Sequence, residues 1–396
     1  MALSVGIGFN NDKNSNLAAA AAIEQAKRKI HVNRIDLILV LATPHYSPEN
    51  IIQAIGDRLD SPRVIGCSTE AIIIDRVIHK RGVAVALFHS NQMKFETGSV
   101  QHLNLQNPQQ AAASLIHSCK SEYGEKERRL FFVFTEGAPN NIPAIHHHLR
   151  KELKNEPEMP ILGSSATNMV APDSSFLFHN NETVKKAATV FVLGGKATVK
   201  TVTRHGWHPI GRPRFVDKSS HHIIHSIDGR PAIELYKTFF PEQYHLLKDP
   251  SSSLNLYYPL GIASGKRGTF FIRNIIDVLD DGSIVCNDNV DSGSQVHIML
   301  GNKDSCLQVT KEAIQEFKGF FSDQPTGLAL VIVSEKHHRI LGRSFERELA
   351  FVKRAAGENI PVFGFVSYGE IFDTGDACQQ TLNSRQNNNL TLIGIK

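Results

Sequence analysis

Three segments of the chain share one order of hydrophobic and polar positions. In each, a helical pattern precedes a run of apolar residues, and a second helical pattern leads to a short apolar stretch that contains a glycine. The apolar runs are residues 35–42 (IDLILVLA), 130–134 (LFFVF) and 328–333 (LALVIV). Such runs are typical of strands that are covered on both faces of a sheet. The pattern therefore predicts the same helix–strand–helix–strand unit three times.

The second helix of each unit has clear sequence signals. In the first unit, Ser47 is a suitable N-cap and Pro48 occupies the first helical position. In the third unit, apolar residues at helical spacing predict one helix that runs through 345–356. Each strand–helix–strand segment has about 30 residues, the size of a right-handed βαβ crossover between parallel strands.

Antiparallel strands are predicted between these units. Residues 82–89 predict a strand that leads to another at 95–100, and residues 187–204 predict a hairpin that turns at Gly194 and Gly195. Residues 270–286 predict a second hairpin around an Asp-Asp-Gly turn. The fold class is therefore α/β, with repeated βαβ units, parallel sheets and antiparallel extensions in two halves.

Ligands of parallel sheets bind outside the carboxyl ends of the strands. Here those ends carry the loops 43–48, 135–141 and 334–343, together with a turn led by Gly66, Gly163 or Gly364. Glycine permits close approach to the backbone, so three equivalent glycines predict the floor of a ligand crevice. The alternative is that they only form tight turns.

Composition narrows the possible functions. The 396 residues are 41% hydrophobic and 21% charged, as in globular proteins, and the net charge is only +4. Basic residues are scattered, so we expect no nucleic-acid partner. The five cysteines are widely spaced, which suits a reducing compartment. Neither a signal peptide nor an apolar run of membrane-spanning length is recognisable, so a soluble cytoplasmic protein with no membrane contact is expected.

Five ordered motifs resemble the FIST-domain family of sensory proteins, which have an N-terminal and a C-terminal part. They are VIGCST at 64–69, GWHPIG at 206–211, IDGRPAIELYK at 227–237, YYPLGI at 257–262 and GFVSYGEI at 364–371. The resemblance implies a FIST N-terminal part over 1–205, a junction over 206–226 and a FIST C-terminal part over 227–396. It also implies that the protein senses a ligand and signals to a partner.

A subset of that family is similar to the nitric-oxide-sensing haem proteins (NosP), which modulate a partner histidine kinase. This similarity implies haem b as a cofactor and nitric oxide as the signal. A haem sensor needs an imidazole on the iron and an apolar slot. His208 and His205, which flank Trp207, are the first candidates for the iron ligand, and His45 at a strand end is the next. The alternative is that these are structural residues and that Trp207 fills the core.

Polar residues near the glycines complete the predicted site. Ser68 and Ser164 follow glycines, where hydroxyls commonly bind a carboxylate or propionate. Tyr368 and Glu370 follow the last apolar strand, and Glu370 is suited to hold a ligand amine or to orient an imidazole. The alternative for Glu370 is a structural carboxylate.

The sequence thus predicts a non-enzymatic sensor that binds a small molecule between its two halves and modulates a sensor histidine kinase. Haem with nitric oxide is the preferred ligand, and an amino acid or another small metabolite is the alternative. A hydrolase that uses Ser68 or Cys67 is the enzymatic alternative, although neither residue lies in the GxSxG motif of a nucleophile elbow.

Overall fold

The computed structural model describes most of the chain. The described residues are 3–32, 34–60, 63–103, 107–119, 127–136, 142–153, 156, 159–166, 172–264, 270–324, 326–371 and 388–396. All bounds and contacts below refer to these residues.

Two units of the same design occupy the first half of the chain. The first unit consists of β1 (Ser4–Asn10), α1 (Ser15–Lys27), β2 (Leu37–Ala42), α2 (Pro48–Gly56), β3 (Arg63–Ser68), β4 (Ile72–Ile74), β5 (Val77–His79) and β6 (Val83–His89). The second unit consists of β7 (Met93–Val100), α3 (Pro108–Ser118), β8 (Arg128–Thr135), α4 (Ile142–Glu152), β9 (Ile161–Ser165), β10 (Leu177–His179), β11 (Glu182–Val184) and β12 (Ala188–Gly195).

The third unit begins with β13 (Val199–His205) and is then interrupted by an insertion. The insertion consists of β14 (Trp207–Ser220), β15 (Ile223–Ile227), β16 (Arg230–Pro231), α5 (Ile233–Phe239), α6 (Ser253–Tyr257), β17 (Leu260–Ala263), β18 (Phe270–Arg273), β19 (Ile275–Val278), β20 (Ile284–Cys286) and β21 (Gln295–Gly301). The unit then continues with α7 (Lys303–Phe317), β22 (Leu328–Ser334), α8 (Glu335–Leu341), α9 (Phe345–Ala356), β23 (Val362–Ser367), β24 (Glu370–Ile371) and β25 (Asn389–Ile395).

The predicted helix and strand signals produce these elements. The Ser47 side chain accepts a hydrogen bond from the Asn50 N–H and caps α2, whose first residue is Pro48. The central strands β2 and β22 are buried along their whole length, as their apolar sequences require. The predicted fold class, an α/β protein with repeated βαβ units, is confirmed.

Each unit has the same sheet pattern. In every unit two strands pair in parallel across a helical crossover: β2 with β3, β8 with β9, and β22 with β23. The last strand of the unit, β6, β12 or β25, then inserts antiparallel between the parallel pair and the first strand of the unit. The three repeats predicted from the hydrophobic pattern are therefore three copies of one topology.

The units are joined by a cyclic exchange of strands. The β4–β5 hairpin of the first unit extends the sheet of the third unit through β23, and the β10–β11 hairpin of the second unit extends the sheet of the first through β3. β24 of the third unit extends the sheet of the second through β9. The sheet of each of the three units is therefore completed by a strand from another unit.

The three sheets enclose one central hydrophobic core, which contains Leu39 of the first unit, Phe134 of the second and Phe365 of the third. The rings of Phe134 and Phe365 lie 6.0 Å apart. Helices cover the outer faces of the sheets and form a separate apolar cluster over each unit. The strand ends of the three units therefore meet around a common centre.

The insertion forms an eight-stranded antiparallel sheet with its own core. Its strand order is β18-β17-β21-β14-β15-β20-β19, and β16 pairs with β15. The stretch interpreted as a junction, 206–226, contains β14 and all but the last residue of β15.

Three sequence predictions are wrong in detail. Residues 187–204 do not form a hairpin, because β12 pairs with β7 and β8 whereas β13 pairs with β25 in another sheet. The third unit has two helices after its central strand where one is predicted, and Gly342, at φ +51°, separates α8 from α9. The hairpin predicted at 270–286 is present only as β19–β20, since β18 pairs with β17.

Candidate functional site

The three predicted glycines lie inside strands and not in turns. Gly66, Gly163 and Gly364 occupy equivalent register positions, each opposite a valine of the neighbouring parallel strand. A Cβ on Gly66 would lie 1.8 Å from the Val40 carbonyl oxygen, and one on Gly364 would lie 2.0 Å from the equivalent oxygen of Val331. Gly66 and Gly364 therefore permit close contact between adjacent strands, and they do not form the bare floor of a crevice.

Polar groups of all three units meet just beyond these glycines, at the strand ends. The Thr69 hydroxyl donates to the Val366 carbonyl at 2.6 Å. The Ser164 and Ser367 hydroxyl oxygens lie 2.7 Å apart, and the Ser165 N–H donates to the Gly369 carbonyl at 2.6 Å. The end of β23 is therefore held between the first and second units.

Ser164 and Glu370 break the symmetry of the three units. They are paired across β9 and β24. The equivalent pairs are Cys67 with Leu177 in the first sheet and Phe365 with Ile72 in the third, all of which are apolar. Glu370 is fully buried. The second sheet therefore has a buried carboxylate at a position where the other two sheets have apolar residues.

Tyr368 connects this centre to a set of charged side chains at the contact between the first and third units. Its main-chain N–H donates to the Ser165 carbonyl at 3.3 Å, and its phenol lies in the electrostatic field of Glu70 and Glu335. We call the whole set the acid–base group; its members are Glu70, Lys80, Glu335, His338, Arg339 and Tyr368.

Three members of the acid–base group have strongly shifted pKa values. Burial, with a contribution from Glu335, raises the pKa of Glu70 to about 7, although Arg339 and Lys80 oppose the shift. Burial lowers the pKa of His338 to about 4, and the positive charge of Lys80 adds to this effect. Burial also raises the pKa of Tyr368, as do the charges of Glu70 and Glu335. Such shifts in one cluster are typical of binding or catalytic sites.

Contacts within the acid–base group leave Glu70 incompletely satisfied. His338 Nδ1 lies 3.9 Å from Glu70 Oε1, which is too far for a hydrogen bond. Glu70 Oε2 is buried and has no hydrogen-bond partner. Arg339 is held by Glu335 at 3.1 Å and by the Ser251 carbonyl at 3.1 Å. The Glu70 carboxylate is therefore able to accept a hydrogen bond from a ligand.

The histidines proposed as iron ligands are not brought together with these residues. His45 and His208 are exposed, and His45 lies only near Thr43, at 3.3 Å. His205 lies on β13, with Nε2 3.1 Å from the Phe270 carbonyl oxygen. Burial lowers the pKa of His205 to about 4, so its imidazole is neutral at physiological pH.

Trp207 and its neighbours do not fit a haem. Trp207 is buried among the apolar residues between the third unit and the insertion, and its indole N–H donates to the Leu256 carbonyl at 3.2 Å. It therefore fills the core and offers no free ring edge to a porphyrin. His208, the next residue, is exposed on β14 and lacks the apolar slot that a haem needs.

Ser68 and Cys67, the two residues considered as nucleophiles, are both buried. The buried Ser68 hydroxyl accepts a hydrogen bond from the Phe176 N–H at 3.0 Å. Cys67 belongs to the central core, and burial raises the pKa of its thiol far above neutral pH. A thiol in such surroundings is inert, because the thiolate is the nucleophilic form.

The sequence interpretation did not identify Glu70, Glu335 or His338. Glu70 directly follows the VIGCST motif, and its position two residues beyond the end of β3 was the available signal. His338 and Glu335 lie one turn apart on α8, which directly follows the end of β22.

Neither a metal-binding cluster nor a membrane-spanning helix is found among the described residues. There, no group of three or more His, Cys, Asp or Glu side chains is arranged to hold a metal ion. None of the helices described above combines the length and the apolar character needed to cross a membrane.

The fold and the site define an α/β protein of three βαβ units, with polar groups gathered at the strand ends where such sheets bind ligands. A family model for the FIST N domain matches residues 36–230, and one for the FIST C domain matches residues 232–373. The chain therefore belongs to the FIST family of sensory signalling domains, which confirms the family resemblance of its motifs.

The similarity to two relatives extends over nearly the whole chain. A protein of Mycobacterium bovis, named only as uncharacterised, is 19% identical over 93% of this chain and 94% of its own length. A protein of Methanocaldococcus jannaschii, also named as uncharacterised, is 22% identical over 88% of this chain and 71% of its own length. A cyanuric acid hydrolase structure aligns over both full chains with a TM-score of 0.35 and 6% identity, which is too weak to support any argument.

Proposed function

We propose that this protein is a non-catalytic sensor that binds a small metabolite carrying an amino group at the acid–base group. A partner protein then responds to the occupancy of the site, and a sensor histidine kinase is the class of partner that we propose. Among the alternatives from the sequence, this is the metabolite sensor without haem.

The observation that carries the proposal is the state of the Glu70 carboxylate. Its Oε2 is buried without a partner, and burial together with the charge of Glu335 disfavours the ionisation of the carboxyl group. A ligand ammonium group would supply the missing donor and would relieve the repulsion between the two carboxylates. Amine binding therefore fits both the geometry and the charge of the site.

The position of the site supports a signalling role. Glu70 belongs to the first unit, whereas Glu335 and Tyr368 belong to the third. A ligand that contacts both units favours one arrangement of α8 against the first unit over others. Such differential binding is the physical requirement for a ligand to shift a conformational equilibrium.

Thermal unfolding with a panel of small amines and amino acids tests this proposal. We expect at least one amine to raise the melting temperature of the parent protein in a saturable way. Glu70→Gln should abolish the effect, whereas Glu242→Gln, an exposed position on the insertion, should retain it. An equal response in Glu70→Gln and in the parent would exclude Glu70 as the amine-binding group.

Haem with nitric oxide stays a prediction from the family resemblance. An absorption spectrum of protein isolated from haem-replete cells tests it directly, since bound haem gives a Soret band. A Soret band that disappears in His205→Ala would support the haem sensor and would contradict the proposed metabolite sensor.

The surroundings of Ser68 and Cys67 support the non-catalytic part of the proposal. We expect no turnover of a panel of esters by the parent protein. Turnover that is lost in Ser68→Ala or Cys67→Ala, while folding is retained, would show that the protein is an enzyme.

A further inference from the structure

A second polar cluster lies where α8 faces the insertion. Lys336, on α8, is half-buried. Its Nζ donates to the Asn255 main-chain oxygen at 3.1 Å and to Asn274 Oδ1 at 2.8 Å. Asn274 Nδ2 in turn donates to Asn388 Oδ1 at 3.0 Å. Asn274 and Asn388 are almost completely buried, so this chain of contacts is shielded from bulk water.

Hydrogen-bond donors fix the orientation of each side-chain amide in this series of contacts. A lysine ammonium can only donate, so the atom of Asn274 that faces Lys336 must be its oxygen. The Asn274 amino group therefore faces Asn388 and requires the Asn388 oxygen there. The main-chain N–H of Asn274 donates to Asn287 Oδ1 at 2.8 Å, which fixes Asn287 in the same way. The orientation of all three amides thus follows from groups that cannot accept.

Two donors remain unused once these orientations are fixed. Asn388 Nδ2 and Asn287 Nδ2 are buried and have no acceptor among the described residues. The Lys336 ammonium has three N–H groups, of which two are used in the contacts above. Buried donors without acceptors are rare in folded proteins because the loss of hydration is not repaid. The cluster is therefore complementary to an acceptor.

The charge of the cluster defines the kind of acceptor. No carboxylate among the described residues pairs with Lys336, and burial lowers its pKa to about 8 despite the nearby Glu335. The two nearby guanidinium groups are each paired with a carboxylate. Arg339 lies 3.1 Å from Glu335, and Arg273 lies 3.6 Å from Asp288 and donates to the Asn289 carbonyl. The site therefore offers about one uncompensated positive charge, which suits a monoanion better than a phosphate dianion.

We propose that Lys336, Asn274, Asn287 and Asn388 form a binding site for the carboxylate group of a small organic acid. Lys336 provides the charge, and the planar amides of Asn287 and Asn388 provide the remaining donors for a planar acceptor. This amide–lysine site is distinct from the acid–base group, and its existence does not depend on the proposed binding of amines.

The full-length protein in acetate or formate tests this site, with sodium chloride at matched ionic strength as the reference. We expect both carboxylates to raise the melting temperature by several degrees in a saturable way. Lys336→Met should remove the response, and so should Asn388→Asp, which replaces a donor by a like charge. Lys311→Met removes the same charge from an exposed position on α7 and should retain the response.

A second measurement uses the parent protein only, in case the variants do not fold. Reductive methylation followed by mass spectrometry should show that acetate slows the modification of Lys336 severalfold but leaves Lys311 unchanged. The proposal is wrong if the parent shows no saturable response to carboxylates, if Lys336→Met responds like the parent, or if acetate does not protect Lys336. In those cases ordered water satisfies the amides.

Discussion

Neighbouring residues at the strand ends have different tasks, since some serve packing and others offer polar groups. Gly66 has φ +149° and faces the main chain of β2, so its lack of a side chain is a packing requirement. Glu70, four residues later, has a buried oxygen without a partner. Substitutions at these two positions should therefore affect different properties of the protein.

Gly66→Ala should be strongly destabilising. The added methyl group would lie 1.8 Å from the Val40 oxygen, which is main chain and cannot move aside without breaking the pairing of β2 with β3. We expect a loss of about 3 kcal/mol or more in the free energy of unfolding, measured by urea denaturation.

Gly56→Ala is the matched control for that substitution. Gly56 is the last residue of α2, and a Cβ there would meet no atom within 4 Å. Alanine should stabilise the protein by about 0.5–1 kcal/mol, because it restricts the unfolded chain and favours the helix. A similar loss of stability in both variants would contradict the packing argument.

Glu70→Gln should change how stability depends on pH. The pKa of Glu70 is raised from 4.5 to about 7 on folding, so between these values the folded state retains a proton that the unfolded state has lost. The stability of the parent should therefore fall as pH rises through this window. Glutamine cannot ionise, so the variant should lack this part of the fall.

The size of this effect is limited by solvent, since the Glu70 side chain is 34% exposed. After allowance for screening, we expect Glu70→Gln to be more stable than the parent by about 1 kcal/mol at pH 8 and by much less at pH 5. Urea denaturation at both pH values measures this difference. Identical pH dependence in the parent and the variant would show that Glu70 has an ordinary pKa.

At the scale of elements, α8 connects the two proposed sites to the core of the third unit. Its outer residues Glu335 and Lys336 belong to the two sites, whereas His337 points inward. The fully buried His337 Nε2 lies 2.9 Å from Glu348 Oε1 on α9. The Thr310 hydroxyl of α7 contacts the same carboxylate oxygen. This buried contact therefore fixes α8 against the two other helices of its unit.

Glu348→Ala should be destabilising because it leaves His337 buried without its partner. Burial alone would lower the pKa of His337, but the Glu348 carboxylate outweighs this effect and raises it. Loss of one member of a buried pair typically costs about 3–5 kcal/mol, and urea denaturation at pH 6 measures it. Glu346→Ala, on the exposed face of α9, is the control and should change stability by less than about 0.5 kcal/mol.

The same pair causes a second fall in stability as pH rises, but here the protonated form that the folded state favours is charged. A raised histidine pKa contributes stability that is complete below the unfolded value of 6.5 and is lost as pH rises through the folded value. This contribution should be absent in Glu348→Ala. If the parent and Glu348→Ala showed the same pH dependence above pH 6.5, His337 would be neutral in the folded protein.

At the scale of the whole molecule, the exchange of strands makes the two family-defined parts interdependent. The FIST N match ends at residue 230, yet β13 before that point pairs with β25, and β4 pairs with β23. Conversely, β24 from the FIST C match completes the sheet of the second unit. Neither part retains all of its sheets when it is separated from the other.

We therefore expect one cooperative unfolding transition for the full chain. Fragments 1–230 and 231–396 should each lack stable tertiary structure, but they should associate when they are expressed together. Circular dichroism in the near ultraviolet and co-purification measure these outcomes. Independent, cooperative unfolding of either fragment would contradict a shared core.

The local structure of this protein follows from short stretches of its sequence. Hydrophobic runs such as 328–333 specify buried strands, and caps such as Ser47 specify helix starts, because both depend on residues close together in the chain. The threefold repetition of this pattern was also visible, as was the family. The sequence also selected His205, Trp207 and Glu370 as candidate site residues, although the surroundings of His205 and Trp207 do not suit the haem chemistry expected of them.

The pairing of the strands and the meeting of polar residues depend instead on contacts between distant parts of the chain. β12 and β13 are consecutive in sequence but belong to different sheets, since pairing is selected by the burial of whole faces and not by proximity in the chain. Likewise, Glu70 and Glu335 are 265 positions apart in the numbering and become neighbours only through the exchange of β4 and β5. Protonation and ligand binding depend on this long-range placement, because desolvation and charge act through space.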